Sequence, residues 1–178
     1  NKKQGAKLAD EIEDLRNHIF YFIKNLDESS VRASDFYIST ITHLTDVSQS
    51  LDYISKVSHK HVNNNHKKLK YNQLKELKEL ENLFEEELFT KTKVIFENRN
   101  FNDIGKVLAV KPTLLKFVSE KIETQVARIR TEETSPKNST LYFSILLETR
   151  DLLNAIMTLL ELYYRSYDAD ITPASVEE

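Results

Sequence analysis

The sequence predicts an all-α fold, an antiparallel bundle of about five long helices. The 178 residues include only 2 glycines and 3 prolines, whereas strand-rich domains need turn residues every eight to twelve positions. Apolar residues instead recur at spacings of three and four over long stretches, which is typical of amphipathic helices. The length suits one well-cored domain or two small repeats that share a core.

The composition argues against several classes of protein. The net charge of −3 comes from 25 basic and 28 acidic residues, mixed along most of the chain. We therefore predict no nucleic-acid partner, because such proteins usually show a basic excess on one face. Cysteine is absent, which excludes a disulfide, a thiolate metal site and a cysteine nucleophile. The most apolar region, residues 141–164, is interrupted by charged side chains and predicts no membrane span.

The start of the chain carries two further expectations. The first residues enter a charged amphipathic helix directly, so we expect no signal peptide. Because the sequence starts at Asn1 rather than at a methionine, we expect it to be a piece of a longer protein.

The first helix is predicted from about Ala6 to Leu26. Its apolar residues alternate at spacings of four and three, which forms a strict seam at period 3.5; they are Leu8, Ile12, Leu15, Ile19, Phe22 and Leu26. Residues 27–30 supply a cap for the second helix, which is predicted over residues 31–62. Serine and threonine thin its apolar stripe, so its last turns should pack loosely or against small side chains. Three asparagines at 63–65 should end it, because asparagine tolerates the left-handed conformation.

The third helix is predicted to start near Asn72, its N-cap, and to reach the turn at residues 98–100. Its outer face should be acidic through Glu76, Glu79, Glu85 and Glu86. The fourth helix should run from about residue 101 to 131. Pro112 predicts a kink or break near Lys111, because proline removes a backbone hydrogen bond and clashes with the preceding turn.

The fifth helix is predicted from Pro136, with Ser135 as its cap, to about Tyr167. Its apolar surface is the widest in the chain, which places it at the centre of the bundle. Residues 171–178 are small and acidic and include a proline, and we predict a disordered tail there.

The histidines at the end of the second helix first suggest a metal site. Residues two apart on a helix point about 200° apart, so His59 and His61 cannot bind one metal from one face. No carboxylate lies beside them in the sequence. We interpret these histidines, with His66, as complements to the negative end of the helix.

The same segment is a candidate docking surface for an anionic membrane surface or an acidic partner. No acidic residue occurs from Tyr53 to Lys75. The residues of this surface are Lys56, Lys60, His61, His66, Lys67, Lys68 and Lys70. The alternative is a solvated helix end whose charges compensate the helix dipole.

Motifs for catalysis or cofactor binding do not occur. A di-metal carboxylate bundle needs Glu-x-x-His pairs, and these are absent, as are His-Glu-x-x-His, Gly-x-Ser-x-Gly and the P-loop. We interpret paired carboxylates, such as Asp10 with Asp14, as solvated faces. The sequence therefore predicts no enzyme, no catalytic residue and no cofactor.

Two stretches carry a resemblance to a known family. In residues 43–69, a long helix with apolar residues at Val47, Leu51, Ile54 and Val57 ends in the turn HVNNNHK. In residues 138–153 the sequence reads NSTLYFSILLETRDLL. Both resemble the PhoU-like regulatory tail of bacterial sodium/phosphate cotransporter-family proteins, the first at an internal turn and the second in the last helix.

The resemblance implies a PhoU-like bundle of three-helix repeats. Residues 1–170 would form one domain, with an incomplete first repeat at about 6–68 and a second repeat at 69–168. The first helix would be the second of its repeat, with one helix missing or supplied upstream. Helices two and five would be the equivalent last helices, which fits their weak likeness, for example of Leu51 to Leu153.

The resemblance also implies a role. The chain would be a non-enzymatic domain at the cytoplasmic face of the bacterial inner membrane, where it regulates or assembles a sodium-dependent phosphate transporter-like protein. It would act by packing its helices against the transmembrane portion of the same protein or against a second copy in a homodimer. We expect the basic turn to face the membrane.

One departure from the family concerns metal. PhoU proteins bind metal clusters through a motif resembling Glu/Asp-x-x-x-Asp, but here Ser50 and Leu152 replace the second acid, and Lys56 stands where a further acid is expected. A cluster needs several convergent carboxylates, so we predict no metal. The weak remnants of the motif are Asp46, Asp52, Glu148 and Asp151.

Three alternatives remain open. The chain could be a stand-alone PhoU-like regulator of phosphate uptake, or a generic helical adaptor. It could also be an enzyme or metal carrier, which would need a buried cluster of carboxylates and histidines in the bundle core.

Overall fold

The computed structural model describes residues 2–25, 31–131 and 135–166, and these are helical apart from short turns. The α-helices are α1 (Lys2–Lys24), α2 (Val31–Asn63), α3 (Tyr71–Phe84), α4 (Thr90–Asn98), α5 (Ile104–Leu108), α6 (Lys111–Thr131) and α7 (Pro136–Ser166). A π-helical turn, Glu85–Phe89, joins α3 to α4, and a 3-10 turn, Phe101–Asp103, precedes α5. Because α3 and α4 form one long rod and α5 leads into α6, the predicted all-α fold of five helical segments is confirmed for the described residues.

Helix α7 lies at the centre, as its wide apolar surface predicts. It packs along α2 on one side and against α6 and α5 on the other. The ring of Phe36, near the start of α2, lies 5.2 Å from that of Tyr163, near the end of α7. At the other end, His61 and Pro136 line one groove. Helices α2 and α7 are therefore antiparallel.

The main hydrophobic core lies between α3, α4, α5, α6 and α7. Its buried members run from Leu80 to Leu160 and include Phe84, Leu114 and Leu146. Within the described ranges, α1 and α2 contribute no residue to this cluster. The core is thus built by the second part of the chain, and the α1–α2 pair is added to it through the opposite side of α7.

The apolar seam of α1 is only partly buried. Ile12 and Ile19 are buried against α2, but Leu15 is 53% exposed and Phe22 is 44% exposed. The seam is wider than a single neighbouring helix covers. Leu26 and the cap at residues 27–30 lie outside the described residues, as does the tail at 171–178.

Small polar residues dominate the buried positions of α2. Thr40, Ser48 and Ser50 are buried, whereas Tyr37 and Leu51 of the predicted stripe are exposed. Small side chains let two helix backbones approach closely, which matches the long contact between α2 and α7. These residues lie before the last turns of α2, so the expectation that those turns pack loosely or against small side chains stays a prediction.

Helix ends agree with the sequence at most positions. Asn65 has a φ of 51°, the left-handed conformation predicted for this turn, and Arg99 has a φ of 54° after α4. Pro112 is the second residue of α6, so the break near Lys111 is confirmed. Ser135 accepts a hydrogen bond from the Asn138 amide at 3.4 Å and caps α7 as predicted.

The start of α3 differs from the prediction. The N-cap is Lys70 rather than Asn72, and the Gln73 side chain accepts the backbone N–H of Lys70 at 3.0 Å. The amide of Gln73 replaces a polar cap side chain here, because its oxygen reaches back to the free N–H group at the helix start.

Among the described helices, none is long and apolar enough to cross a membrane.

Candidate functional site

The basic residues predicted as one docking surface lie in three places. Lys67, Lys68 and Lys70 border a cavity between α3, α6 and α7. Lys60, His61 and His66 border an open groove between α2 and α7. Lys56 lies a turn or more earlier on α2, where its ammonium pairs with Asp52 at 2.5 Å.

The buried histidine in this segment holds the turn after α2. The Nε2 atom of His61 lies 3.0 Å from the carbonyl oxygen of Lys67, and its ring lies 5.1 Å from that of His66. Burial, followed by the charges of Lys137 and His61, lowers the pKa of His66. His59 instead faces Asn63 on the exposed side of α2. The three histidines thus contact neighbouring groups of the turn and of α2. Their role as complements to the negative end of the helix stays a prediction.

The acidic remnants come together only in part. Asp46, Glu148 and Asp151 line one groove between α2 and α7, beside His43, whereas Asp52 is not among its lining residues. The Nδ1 atom of His43 lies 3.8 Å from Asp46. Within residues 2–25, 31–131 and 135–166, no three histidine or acidic side chains converge closely enough to hold a metal ion. The absence of a metal cofactor stays a prediction.

A buried chain of amides links α3, α6 and α7 beneath the cavity. Gln73 donates from Nε2 to the Oε1 of Gln125 at 3.2 Å, and Gln125 donates from its own Nε2 to the hydroxyl of Ser139 at 3.1 Å. Gln125 is fully buried. Buried amides need such partners, because an unsatisfied polar group costs about 1–3 kcal/mol.

Glu76 lies among the buried groups between α3, α6 and α7. The prediction that it lies on an exposed acidic face is therefore wrong. Arg128 of α6 binds the Glu76 carboxylate with both terminal nitrogens, and the Tyr142 hydroxyl of α7 donates to it. Burial alone would raise the pKa of Glu76, but the hydrogen bonds from Arg128 and Tyr142 outweigh it and lower that pKa. Burial and the adjacent carboxylate raise the pKa of Tyr142.

The cavity above this network has a volume of about 540 Å³. Buried polar side chains form its floor, namely Gln73, Gln125, Asn138 and Ser139, and exposed lysines form its rim, namely Lys67, Lys68 and Lys70. Arg128 and Ser135 complete the wall. The arrangement can bind a polar or anionic group; among the described residues it does not align a nucleophile with a base.

The sequence offers a weak signal for this site. Gln125 stands where the apolar stripe of α6 would place a hydrophobic residue, and Asn138 opens the second family-like stretch. A polar residue on an apolar stripe suggests a buried partner, but the partners here are 52 and 14 residues away in the chain. Only the fold identifies them.

Comparison of the chain with protein-family models, with curated proteins and with solved structures found no match.

Proposed function

We propose that this chain is a PhoU-like regulatory and assembly domain of a sodium-dependent phosphate transporter-like membrane protein. It acts by helix packing: a further helix of the same protein covers the exposed side of the α1–α2 pair. The observation that carries the proposal is the incompletely covered apolar seam of α1. The family assignment itself rests on the two sequence stretches at residues 43–69 and 138–153.

Four of the exposed apolar side chains of α1 and α2 lie along one strip. Leu15 and Phe22 are seven residues apart and share a face of α1, and Tyr37 and Leu51 share a face of α2. The rings of Phe22 and Tyr37 lie 5.1 Å apart, which joins the two faces. We call Leu15, Phe22, Tyr37 and Leu51 the exposed strip. A two-helix surface of this kind is suited to receive a third helix.

The other half of the molecule supports a helix as the occupant. There, α3 covers α6 through the Gln73–Gln125, Glu76–Arg128 and Glu79–Lys121 contacts. In the described residues, α1 packs against α2 and has no comparable cover on its other side. If α1 and α2 are the counterparts of α6 and α7, the missing element is the counterpart of α3.

Photo-crosslinking in the full-length natural protein tests this function. A benzophenone amino acid replaces Leu15 or Phe22 in separate variants, and membranes are irradiated. We expect a crosslink to a helix of the same polypeptide, because the exposed strip is covered there. Val94 of α4 is the matched control, since it is 48% exposed but lies outside the strip. A crosslinker at Val94 should give no such product.

The outcomes separate the alternatives. Crosslinks between two copies would favour a homodimer as the covering partner. No crosslink from either strip position would refute packing through this surface. A full-length gene without membrane-spanning segments would instead favour a stand-alone PhoU-like regulator, and neither spans nor a phosphate-related phenotype would favour a generic adaptor.

A further inference from the structure

We propose that two copies of this chain pair through the groove between α2 and α7, related by a two-fold axis that crosses the groove at Tyr53. Two observations carry the inference: the groove is one continuous face of the two helices, and its two ends carry opposite charge. The groove lies on the other side of α2 from the exposed strip, so this pairing is independent of the proposed packing there.

The groove follows the same face of both helices from end to end. Its lining residues recur at spacings of three and four, so each set shares one side of its helix. On α2 they include His43, Asp46, Ser50, Tyr53, Val57 and Lys60, and on α7 they include Lys137, Leu141, Ser144, Glu148, Asp151 and Ala155. At a rise of 1.5 Å per residue, this face is about 30 Å long.

One end of the groove is basic. Lys60 and His61 of α2, His66 of the turn and Lys137 of α7 line this end, and none of its lining residues in the described part of the chain is acidic. Within residues 2–25, 31–131 and 135–166, neither Lys60 nor Lys137 forms an ion pair with a carboxylate. The basic end therefore keeps a positive excess.

The other end of the groove is acidic. Asp46 of α2 and Glu148 and Asp151 of α7 line it, and the described residues place no lysine or arginine beside them in the lining. In those residues, the ion pair of Asp46 is with the ring of His43, at a distance of 3.8 Å. Tyr53 is 43% exposed and lines both ends, so it marks the middle of the groove.

A second copy of the chain matches this distribution of charge. A two-fold axis in the plane of the interface, at right angles to the groove, reverses the direction of the groove in the second copy. The basic end of each copy then lies against the acidic end of the other. Asp46 and Lys60 are each seven residues from Tyr53, or about two helical turns. An axis at Tyr53 therefore brings Lys60 of one copy opposite Asp46 of the other, whereas an axis along the groove would set like charges together.

The size of the face suits a reversible dimer. Two helices side by side, each about 10 Å wide, present about 600 Å² per copy along this length. The total of about 1,200 Å² is at the lower end of specific interfaces. Tyr53 supplies an exposed aromatic ring at the centre of the face, where the largest contributions to binding are usually found. We therefore expect a dimer that dissociates on dilution and at high salt.

The groove and the exposed strip use different faces of α2. Leu51 of the strip and Tyr53 of the groove are two residues apart, so their side chains point about 200° apart. A second copy in the groove thus leaves the strip open to a covering helix, and each interface can fail its test without the other.

Sedimentation velocity of the folded chain over a range of concentrations tests the pairing. We expect a reversible equilibrium between monomer and dimer, with a dissociation constant that rises at least tenfold from low salt to about 0.5 M salt, because the charges at both ends are screened. A monomer at every concentration in low salt would overturn the proposal, as would a dimer that does not respond to salt.

Charge reversal locates the interface. Lys60→Glu and Asp46→Lys should each weaken dimerisation at least tenfold, and the double variant should restore it, because the pair is rebuilt with opposite polarity. Lys116→Glu on an exposed face of α6 makes the same charge change outside the groove and should leave dimerisation unchanged. Circular dichroism checks that each variant folds. Single variants that dimerise normally, or a double variant that stays monomeric, would overturn the predicted pairing.

Crosslinking decides even where a charge-reversed variant does not fold. The chain has no cysteine, so Tyr53→Cys introduces a single thiol at the proposed axis. A short bis-maleimide reagent should join two copies there, since position 53 of each copy lies beside position 53 of the other. Leu15→Cys, in the exposed strip, is the control and should stay monomeric. A covalent dimer from Leu15→Cys but not from Tyr53→Cys would assign the dimer to the strip and overturn the proposal.

Discussion

The α1–α2 pair and the α3–α7 part of the chain carry the same kind of apolar pattern but bury it to different extents. In the α3–α7 part, Leu114, Leu146 and Leu153 are almost fully buried. In the α1–α2 pair, Leu15 and Phe22 of the predicted seam remain about half exposed. The periodic apolar pattern of a helix therefore predicts the width of its apolar face. How much of that face is buried depends on the helices that pack beside it.

The buried polar residues of the two parts differ in size and in how far their hydrogen bonds reach along the chain. The α3–α7 part connects its buried polar groups over long distances in the chain, from Gln73 through Gln125 to Ser139. The buried polar residues of α2 are small, and Thr40 keeps a hydroxyl without a hydrogen-bond partner among the described residues. Among the described residues, buried polar atoms without a partner occur in both parts, at Thr40 in α2 and at Thr92 and Asn138 in the second part. Only the apolar packing is therefore more complete in the second part of the chain.

The largest expected effect comes from shortening a side chain in the hydrophobic core. Leu146→Ala should lower the free energy of unfolding by about 2–5 kcal/mol, because it leaves a cavity among closely packed side chains. Leu15→Ala, the matched variant in the α1–α2 pair, should cost less than about 1 kcal/mol. Urea denaturation followed by circular dichroism measures both. Equal costs would show that the two parts are packed equally well.

Breaking the buried ion pair should have the next largest effect. Arg128→Met leaves the Glu76 carboxylate without its main partner inside the bundle and should cost about 3 kcal/mol. Lys93→Met removes an exposed lysine paired with Glu97 and should cost at most about 0.5 kcal/mol. The same denaturation experiment compares the two variants. A small cost for Arg128→Met would show that the Glu76 carboxylate does not depend on Arg128 inside the bundle.

The pH dependence of stability gives a subtler test of this network. The folded-state pKa of Glu76 lies below its usual value, because Arg128 and Tyr142 donate hydrogen bonds to the carboxylate. Its charge therefore stabilises the fold at neutral pH, and this contribution is lost as the pH falls through the lowered pKa. The difference in unfolding free energy between the natural chain and Glu76→Gln should shrink on acidification. A difference that stays constant from neutral to acidic pH would contradict the lowered pKa.

The cap of α7 gives a smaller effect. Ser135→Ala removes the acceptor for the Asn138 amide and should cost about 1 kcal/mol. Ser119→Ala lies in the exposed middle of α6 and should be neutral or slightly stabilising, because alanine is the better helix former. Thermal unfolding of the two variants checks the difference, and similar midpoints would argue against the cap.

Local signals in the sequence predicted the helix boundaries well. The left-handed turn at Asn65, the break before Pro112 and the cap at Ser135 depend on the conformational preferences of single residues, so each could be predicted without the fold. The prediction of Asn72 as the N-cap of α3 is wrong. The N-cap is Lys70 instead, where the side chain of Gln73 accepts the free backbone N–H.

Contacts between side chains that are far apart in the sequence could not be predicted in the same way. Glu76 has the spacing of a solvent-facing acid, and only the approach of α6 and α7 places Arg128 and Tyr142 beside it. The sequence predicts the docking surface at residues 56–70 as one patch, because its residues are close together in the chain. The turn after α2 separates it, since His61 lies buried against the backbone of Lys67 while the lysines that follow reach the cavity.

Hydrogen–deuterium exchange of the isolated chain tests the difference between the two parts most directly. Amides in α1, covered by one helix, should exchange at least tenfold faster than amides in the middle of α7, because partial opening of α1 exposes little buried apolar surface. Exchange of α1 and α7 at the same slow rate, in a single cooperative unit, would contradict an incompletely covered α1–α2 pair.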